Sequence, residues 1–246
     1  ILCGVEWFRR TFEELDPEVE IFWHHGDGEA VVGNTSLCEI EGEARAMLTA
    51  ERTALNFVQL LSGIATRTRK FVSLVQGTRA RILDTRKTLP GLRIASKYAV
   101  RTGGGHNHRI GLFDGILIKE NHIVAAGGVA PAVKQGLRGV DDGTMLEVEV
   151  ETLEQVAEAL DLGCDLLLLD NMELDTMAEA VKACGRRART EASGGITLER
   201  ARAVAETGVD FLAVGTLTHS APSLDIALDW EGEGPGGLTP RSPEGG

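Results

Sequence analysis

Met145-Leu146-Glu147-Val148-Glu149-Val150, then Thr152 to Leu160, then Asp165-Leu166-Leu167-Leu168-Leu169-Asp170-Asn171 decide the fold. Two short apolar runs flank an amphipathic segment that stops near Gly163. Four consecutive leucines leave a strand no polar face, so both of its faces must be covered, as in a parallel sheet with helical crossovers. The unit repeats outward. Strands are predicted at Arg81–Asp84, Gly115–Ile118, Ala188–Ala192 and Phe211–Val214, and helices at Glu173–Cys184 and Thr197–Glu206, which end near Gly185 and Gly208. Six such strands suit a barrel or a doubly wound sheet.

Upstream the pattern differs. Residues Ala30–Ile40 read as short strands with a turn at Gly33-Asn34. A helix is predicted from Glu43 to Val75, with Leu48, Leu55, Val58, Leu61 and Ile64 at helical spacing and Gly63 as a candidate interruption. The organisation expected is an N-terminal α/β domain over residues 1–60, a catalytic barrel over 61–229, and a Gly-, Pro- and Glu-rich disordered tail over 230–246. Ile1-Leu2-Cys3-Gly4-Val5-Glu6 reads like the middle of an element, and it has no basic-then-apolar leader pattern.

The 246 residues, 43% hydrophobic, suffice for one large domain or a medium and a small one. No apolar stretch is long enough to cross a membrane. Cys3, Cys38, Cys164 and Cys184 are far apart, which points away from a disulfide framework or structural zinc and toward a reduced, cytoplasmic setting. A net charge of −12 argues against general nucleic-acid binding. Yet residues 79–119 hold nine Lys or Arg against two acids, Asp84 and Asp114. These cations interrupt strand-like pieces and glycines, which suits a pocket for a small polyanion better than a solvated face.

Reactive groups in such a sheet belong at the C-terminal ends of the strands. In chain order those ends read Asp84-Thr85-Arg86-Lys87-Thr88, Lys119-Glu120-Asn121-His122, Glu147 with Glu149, Asp170-Asn171, Ser193-Gly194-Gly195 and Gly215-Thr216. Arg86, Lys87, Arg109 and Lys119 can bind carboxylates or phosphates. The Ser193–Gly195 turn and Gly215 let backbone amides approach a phosphate. Glu149 and Asp170 suit sugar hydroxyls, a Mg²⁺-bound ligand or a developing positive charge. Taken singly, a Ser-Gly-Gly is a turn and a strand-end Asp is a helix cap; their recurrence at successive strand ends favours a site. Glu147 and Glu149 alternate with valines, so both should face one side, inward near Lys119.

Asp84-Thr85-Arg86-Lys87-Thr88-Leu89-Pro90-Gly91 resembles the quinolinate phosphoribosyltransferase family. So do Lys97–Gly105, His106-Asn107-His108-Arg109-Ile110-Gly111-Leu112, Ile118–His122, Glu147–Val150, Leu169-Asp170-Asn171 and Glu191–Ile196. Glu51–Asn56 and Leu61–Thr66 also fit, so the resemblance runs from residue 23 to 229. It implies an open α/β barrel preceded by an α/β sandwich-like domain, here lacking the helix and strand set that family members carry before this chain begins. It implies phosphoribosyl transfer from phosphoribosyl pyrophosphate (PRPP) to quinolinate with decarboxylation, giving nicotinate mononucleotide, pyrophosphate and CO2. Lys87, Lys119, Glu149 and Asp170 would be catalytic. Arg86, Lys87, Thr88, His108, Arg109 and Lys119 would surround the carboxylates and phosphates, and Arg52 would reach into the neighbouring subunit of a homodimer or a trimer of dimers. Glu149 and Asp170 would face the ribose and its Mg²⁺-bound pyrophosphate, the Mg²⁺ cofactor arriving with PRPP. Ser193, Gly194, Gly195 and Gly215 would hold the 5′-phosphate.

Two other readings compete. His106-x-His108 is similar to the metal-binding pair of barrel hydrolases, but it follows three glycines rather than the first strand. A molybdenum-associated relative that binds an anion without turnover would share the fold, and the full set of charged positions argues against it.

Overall fold

Leu166–Leu169 lie buried in the centre of a parallel sheet, as a strand without a polar face requires. The computed structural model describes residues 1–138 and 144–230. Its elements are α1 (Val5–Glu13), β1 (Glu20–Trp23), β2 (Cys38–Glu41), α2 (Ala44–Leu74), β3 (Arg81–Leu83), α3 (Arg93–Thr102), β4 (Ile116–Ile118), α4 (Glu120–Ala126), α5 (Val129–Gly136), β5 (Leu146–Val150), α6 (Leu153–Asp161), β6 (Leu166–Asp170), α7 (Leu174–Cys184), β7 (Arg189–Ser193), α8 (Leu198–Glu206), β8 (Phe211–Ala213) and α9 (Thr216–His219).

The large sheet has the order β3-β8-β7-β6-β5-β4, with every pair parallel. Its edges, β3 and β4, do not pair with each other. Beyond β3, His106 bridges Leu83: the His106 amide donates to the Ile82 carbonyl and the Asp84 amide to the His106 carbonyl. A flat sheet would place β3 and β5, four strand steps apart, about 19 Å from one another. Yet His108, on the segment beside β3, lies 2.8 Å from Glu147 on β5. The sheet is therefore curled into an open barrel, and the 106–109 segment stands in its gap.

Alternation along the strands separates two faces. Ile82, Val148, Val150, Leu167, Leu169, Ala192 and Leu212 join the main apolar core under the helices. Glu149, Leu168, Glu191 and Phe211 share successive rungs of the opposite, inner face. Glu147 lies two residues before Glu149 on the same face, so the two acids do share a side. The helices end where glycine permits positive φ, at Gly163, Gly185 and Gly208.

A second core gathers Leu2, Phe8 and Phe12 against Met47, Ala50, Ala54, Leu55 and Val58 of α2. The chain returns to it late, with Ile226 and Leu228 packed there and the Gln59 side-chain amide donating to the Ile226 carbonyl. Several local expectations differ from what forms here. The turn at Gly33-Asn34 is present, but Ala30–Val32 is not a strand; Val32 is 77% exposed. Only Cys38–Glu41 finds a partner, the antiparallel Glu20–Trp23. Ile1–Gly4 lie outside any regular element, ahead of α1. Leu48 is exposed, and Met47 takes the core position. The expected tail from 231 onward lies outside the described residues.

Gly63 does not interrupt α2. A Cβ there would sit 2.2 Å from the Pro222 carbonyl oxygen, so the missing side chain admits the returning segment. Alanine is the better helix former by roughly 1 kcal/mol, but the contact is with backbone. Gly63→Ala should therefore lower stability, by about 1–3 kcal/mol for an overpacked site. A urea unfolding curve shifted to higher concentration would contradict this.

Candidate active site

Asp84 follows β3 directly and is fully buried. A buried carboxylate needs a cation and donors. Lys97 of α3, itself buried, supplies the cation and forms an ion pair with Asp84. Asn107 Nδ2 donates to Asp84 at 2.5 Å and the His108 amide at 2.9 Å. Burial pushes the Asp84 carboxyl up, while Lys97 and these donors pull it back. Lys97 Nζ also donates to the His108 carbonyl at 2.9 Å. His108 is thus fixed at both backbone atoms. Its ring is fixed too: Nδ1 accepts from the Arg109 amide at 2.7 Å, and Nε2 faces Glu147 at 2.8 Å.

The cations of the mouth hang on this frame. Arg109 Nη1 donates to the Gly115 carbonyl at 2.7 Å, just before β4. Burial, and then the neighbouring Arg86 guanidinium, hold Arg109 below its ordinary value. Arg86 has a buried Nε without a partner among the described residues. Two guanidiniums in mutual repulsion, one with an unpartnered N–H, suit an anion between them. Arg93 donates to the Arg86 carbonyl and to the Thr88 hydroxyl, both at 3.3 Å, and so shapes this loop. Lys87 is exposed, and its carbonyl accepts from Thr218 Oγ1 at 2.7 Å.

On the other strands, Lys119 Nζ lies 3.6 Å from Glu149, which also accepts from the Glu120 amide at 3.3 Å. Asp170 accepts from Asn171 Nδ2 at 2.7 Å. Gly194, at φ +93°, packs so closely on Asn171 that a Cβ would lie 2.1 Å from its Oδ1. Gly215 lies against the Lys87 stem and His219 Nε2; a Cβ there would be 3.2 Å and 3.4 Å from them. Cations on β3 and β4, carboxylates on β5 and β6 and glycine turns after β7 and β8 therefore share the C-terminal end of the barrel. Such a mouth can bind a polyanion beside a group that develops positive charge.

Known proteins are similar to this chain in sequence and in fold. The sequence profile of the quinolinate phosphoribosyl transferase N-terminal domain matches residues 1–62, and that of the C-terminal domain matches residues 64–229. The chain belongs to the quinolinate phosphoribosyltransferase family. A probable nicotinate-nucleotide pyrophosphorylase (carboxylating) of Bacillus subtilis is 45% identical over 93% of this chain and 79% of its own length. A nicotinate-nucleotide pyrophosphorylase of Mycobacterium leprae is 50% identical over 82% and 72% respectively. The solved nicotinate-nucleotide pyrophosphorylase of Francisella tularensis superposes with a TM-score of 0.88 at 44% identity, covering 92% of this chain and 80% of that one.

Of the residues the quinolinate phosphoribosyltransferase resemblance singled out, Arg86, Lys87, Lys119, Glu149, Asp170, Ser193, Gly194, Gly195 and Gly215 lie at or just after the C-terminal ends of the strands, and Arg109 lies on the segment in the barrel gap. Thr88 stands beside them, its hydroxyl occupied by Arg93. His108 stands in the barrel gap with both ring nitrogens engaged by protein groups, Nδ1 by the Arg109 amide and Nε2 by Glu147. Arg52 is exposed on the N-terminal half of α2, about 14 Å along the helix from Leu61, where that helix joins the main core. The His106-x-His108 metal reading fails on geometry, since His106 is exposed and the metal-compatible group among the described residues is His108 with Glu147 and Glu191. Asp84 and Glu147 stand at the strand ends the sequence singles out, but Lys97, Asn107, Glu191 and His219 carry no separate sequence signal for the site. Lys97 is visible only as a lysine among Ala95, Ala99 and Val100, on the buried face of a helix.

Lys97→Met would leave Asp84 as an uncompensated buried charge. A loss of about 3–5 kcal/mol in urea unfolding is expected. A loss under about 1 kcal/mol would show that the pair is not buried as described.

Proposed function

We propose that this mouth carries out the family's reaction, in which phosphoribosyl passes from PRPP to quinolinate with loss of CO2, a step of de novo NAD biosynthesis. The observation that carries the reading is the buried Arg86 Nε–H without a partner among the described residues, with the Arg109 guanidinium near enough to be affected by the Arg86 charge. A ring dicarboxylate and a phosphorylated donor both demand such cations. Arg86, Arg109 and Lys119 bind the ring carboxylates. Lys87, Ser193, Gly194, Gly195 and Gly215 hold phosphate, and His219 stands with them. Glu149 and Asp170 face the ribose hydroxyls.

The ring nitrogen attacks the anomeric carbon as the bond to pyrophosphate breaks, through a transition state with oxocarbenium character that Glu149 and Asp170 stabilise. Mg²⁺ comes as part of the donor substrate, where it neutralises the leaving pyrophosphate; the hard oxygens of Glu149 and Asp170 are compatible with its presence. The product nitrogen is quaternary and cationic. The C2 carboxylate leaves as CO2, its bonding electrons stay on the ring, and a solvent proton fills the position. Lys119 orients carboxylates, and this chemistry needs no Schiff base. Four free cysteines, with burial pushing Cys3 up to about 12, fit a reducing cytoplasm.

With quinolinate, PRPP and Mg²⁺, nicotinate mononucleotide, pyrophosphate and CO2 should form in equal amounts, and nicotinate should be a poor substitute. Comparable turnover of nicotinate, or binding without turnover, would overturn the reading. Arg86→Ala and Lys119→Ala should each weaken calorimetric quinolinate binding by about 1.5–3 kcal/mol; unchanged affinity in both would place the pocket elsewhere.

Arg52 has no hydrogen-bond or ion-pair partner among the described residues, Glu51 included, and lies on the half of α2 remote from its own barrel. This supports a role in the partner subunit's site of a homodimer. Arg52→Ala and Lys87→Ala homodimers should each be nearly inactive. Re-equilibrated heterodimers should recover toward about half of wild-type activity, since one of two shared sites carries neither lesion. No recovery despite proven exchange would place Arg52 outside the partner's site.

A further inference from the structure

With Lys97 engaged by Asp84, two deeply buried acids remain inside the barrel. Glu147 and Glu191 are 0% and 1% exposed, and their oxygens lie with His108 Nε2 in a cluster within 4.8 Å. The ring sits 2.8 Å from Glu147 and 3.6 Å from Glu191. Because the Arg109 amide donates to Nδ1, that nitrogen carries the lone pair and the proton is on Nε2, aimed at Glu147. His108 is then a neutral ring and adds no cation. The other charged groups facing this space are Lys97, paired with Asp84, and Arg109 at its rim.

Two ionised carboxylates cannot share so dry a space without a cation. The same ring geometry disfavours a metal in the cluster, since a metal on Nε2 would need the proton on Nδ1, where the Arg109 amide already points. Glu147 receives the ring N–H, so the single negative charge is best stabilised there. Its other oxygen, Oε1, is buried without a fixed partner among the described residues. Burial, then Glu147, and more weakly Asp84, push the Glu191 carboxyl well up.

We propose that Glu191 is a positioning residue of the dicarboxylate pocket: it keeps its proton at neutral pH and donates it to Glu147, which can then hold the His108 ring and, through that ring, the Arg109 backbone. The chain of bonds runs from β7 to β5 to the segment in the barrel gap, and it ends one residue from a guanidinium of the mouth. Its effect on catalysis rests on the functional reading above; the protonation state does not.

Two measurements on the full chain test it. Infrared spectra at neutral pH should show the carbonyl stretch of a buried protonated carboxylic acid, and Glu191→Gln should remove it. Absence of the band in the wild type, its persistence in Glu191→Gln, or one equivalent of bound transition metal lost in that variant would overturn the proposal. In the assay, Glu191→Ala should raise the quinolinate KM about tenfold while the PRPP KM stays within about twofold, and Glu191→Gln, which retains a neutral N–H donor, should recover most of the loss. Equal rises in both KM values, or no recovery in the folded Gln variant, would also overturn it. If Glu191→Ala does not fold, the Gln variant and the infrared band still decide. If the wild type turns over nothing while the band behaves as expected, the functional reading fails and the shared proton stands.

Discussion

A sheet whose two edge strands do not meet leaves a gap that must be closed by something other than a strand pair. Here it is closed by one residue and a buried ion pair. His108 is held by Asp84 at its amide, by Lys97 at its carbonyl, and at both ring nitrogens. An isolated buried charge would be prohibitive, and a buried pair is tolerable when its remaining lone pairs and protons find partners. Asp84 and Lys97 meet that condition by bonding to the 106–109 segment, so their stability depends on that segment sitting in the gap.

Arg109 follows His108 directly, and Arg86 follows Asp84 by two residues. Both guanidiniums are delivered to the mouth from the frame that closes the barrel, which suits a site that must hold like charges together before an anion arrives. Preorganised charge of this kind avoids reorganisation when the substrate binds. The carboxylates Glu149 and Asp170 come from β5 and β6, and Lys119 lies 3.6 Å from Glu149. In the proposed reading the carboxylates of β5 and β6 stand between binding groups contributed by the strands on either side.

The barrel was legible because its strands have no polar face and its helices stop at glycines: Leu166–Leu169 and Gly163 leave little choice. The mouth was legible because polar residues recur where such strands end. What escaped was tertiary. Whether Val31-Val32 forms a strand depends on a partner, and Glu20–Trp23 pairs with Cys38–Glu41 instead. Helical spacing admitted Leu48 or Met47 to the core, and packing chose Met47. The His108 ring could not be placed from its neighbours in sequence, since Glu147 and Glu191, the groups it meets, lie 39 and 83 residues further along the chain. Lys97 and Asp84 were visible only as charges among apolar residues, and a pair of that kind is defined by contact.

In the proposed function Arg86 and Arg109 act as one anion clamp, held in place across the barrel gap. The most direct measurement is a double-mutant cycle on Arg86→Ala and Arg109→Ala, read by the calorimetric affinity for quinolinate. Groups that share one ligand and repel each other without it should be non-additive, with a coupling of about 0.5–3 kcal/mol. Single-mutant losses that add within about 0.3–0.5 kcal/mol would show two independent cations and contradict the account.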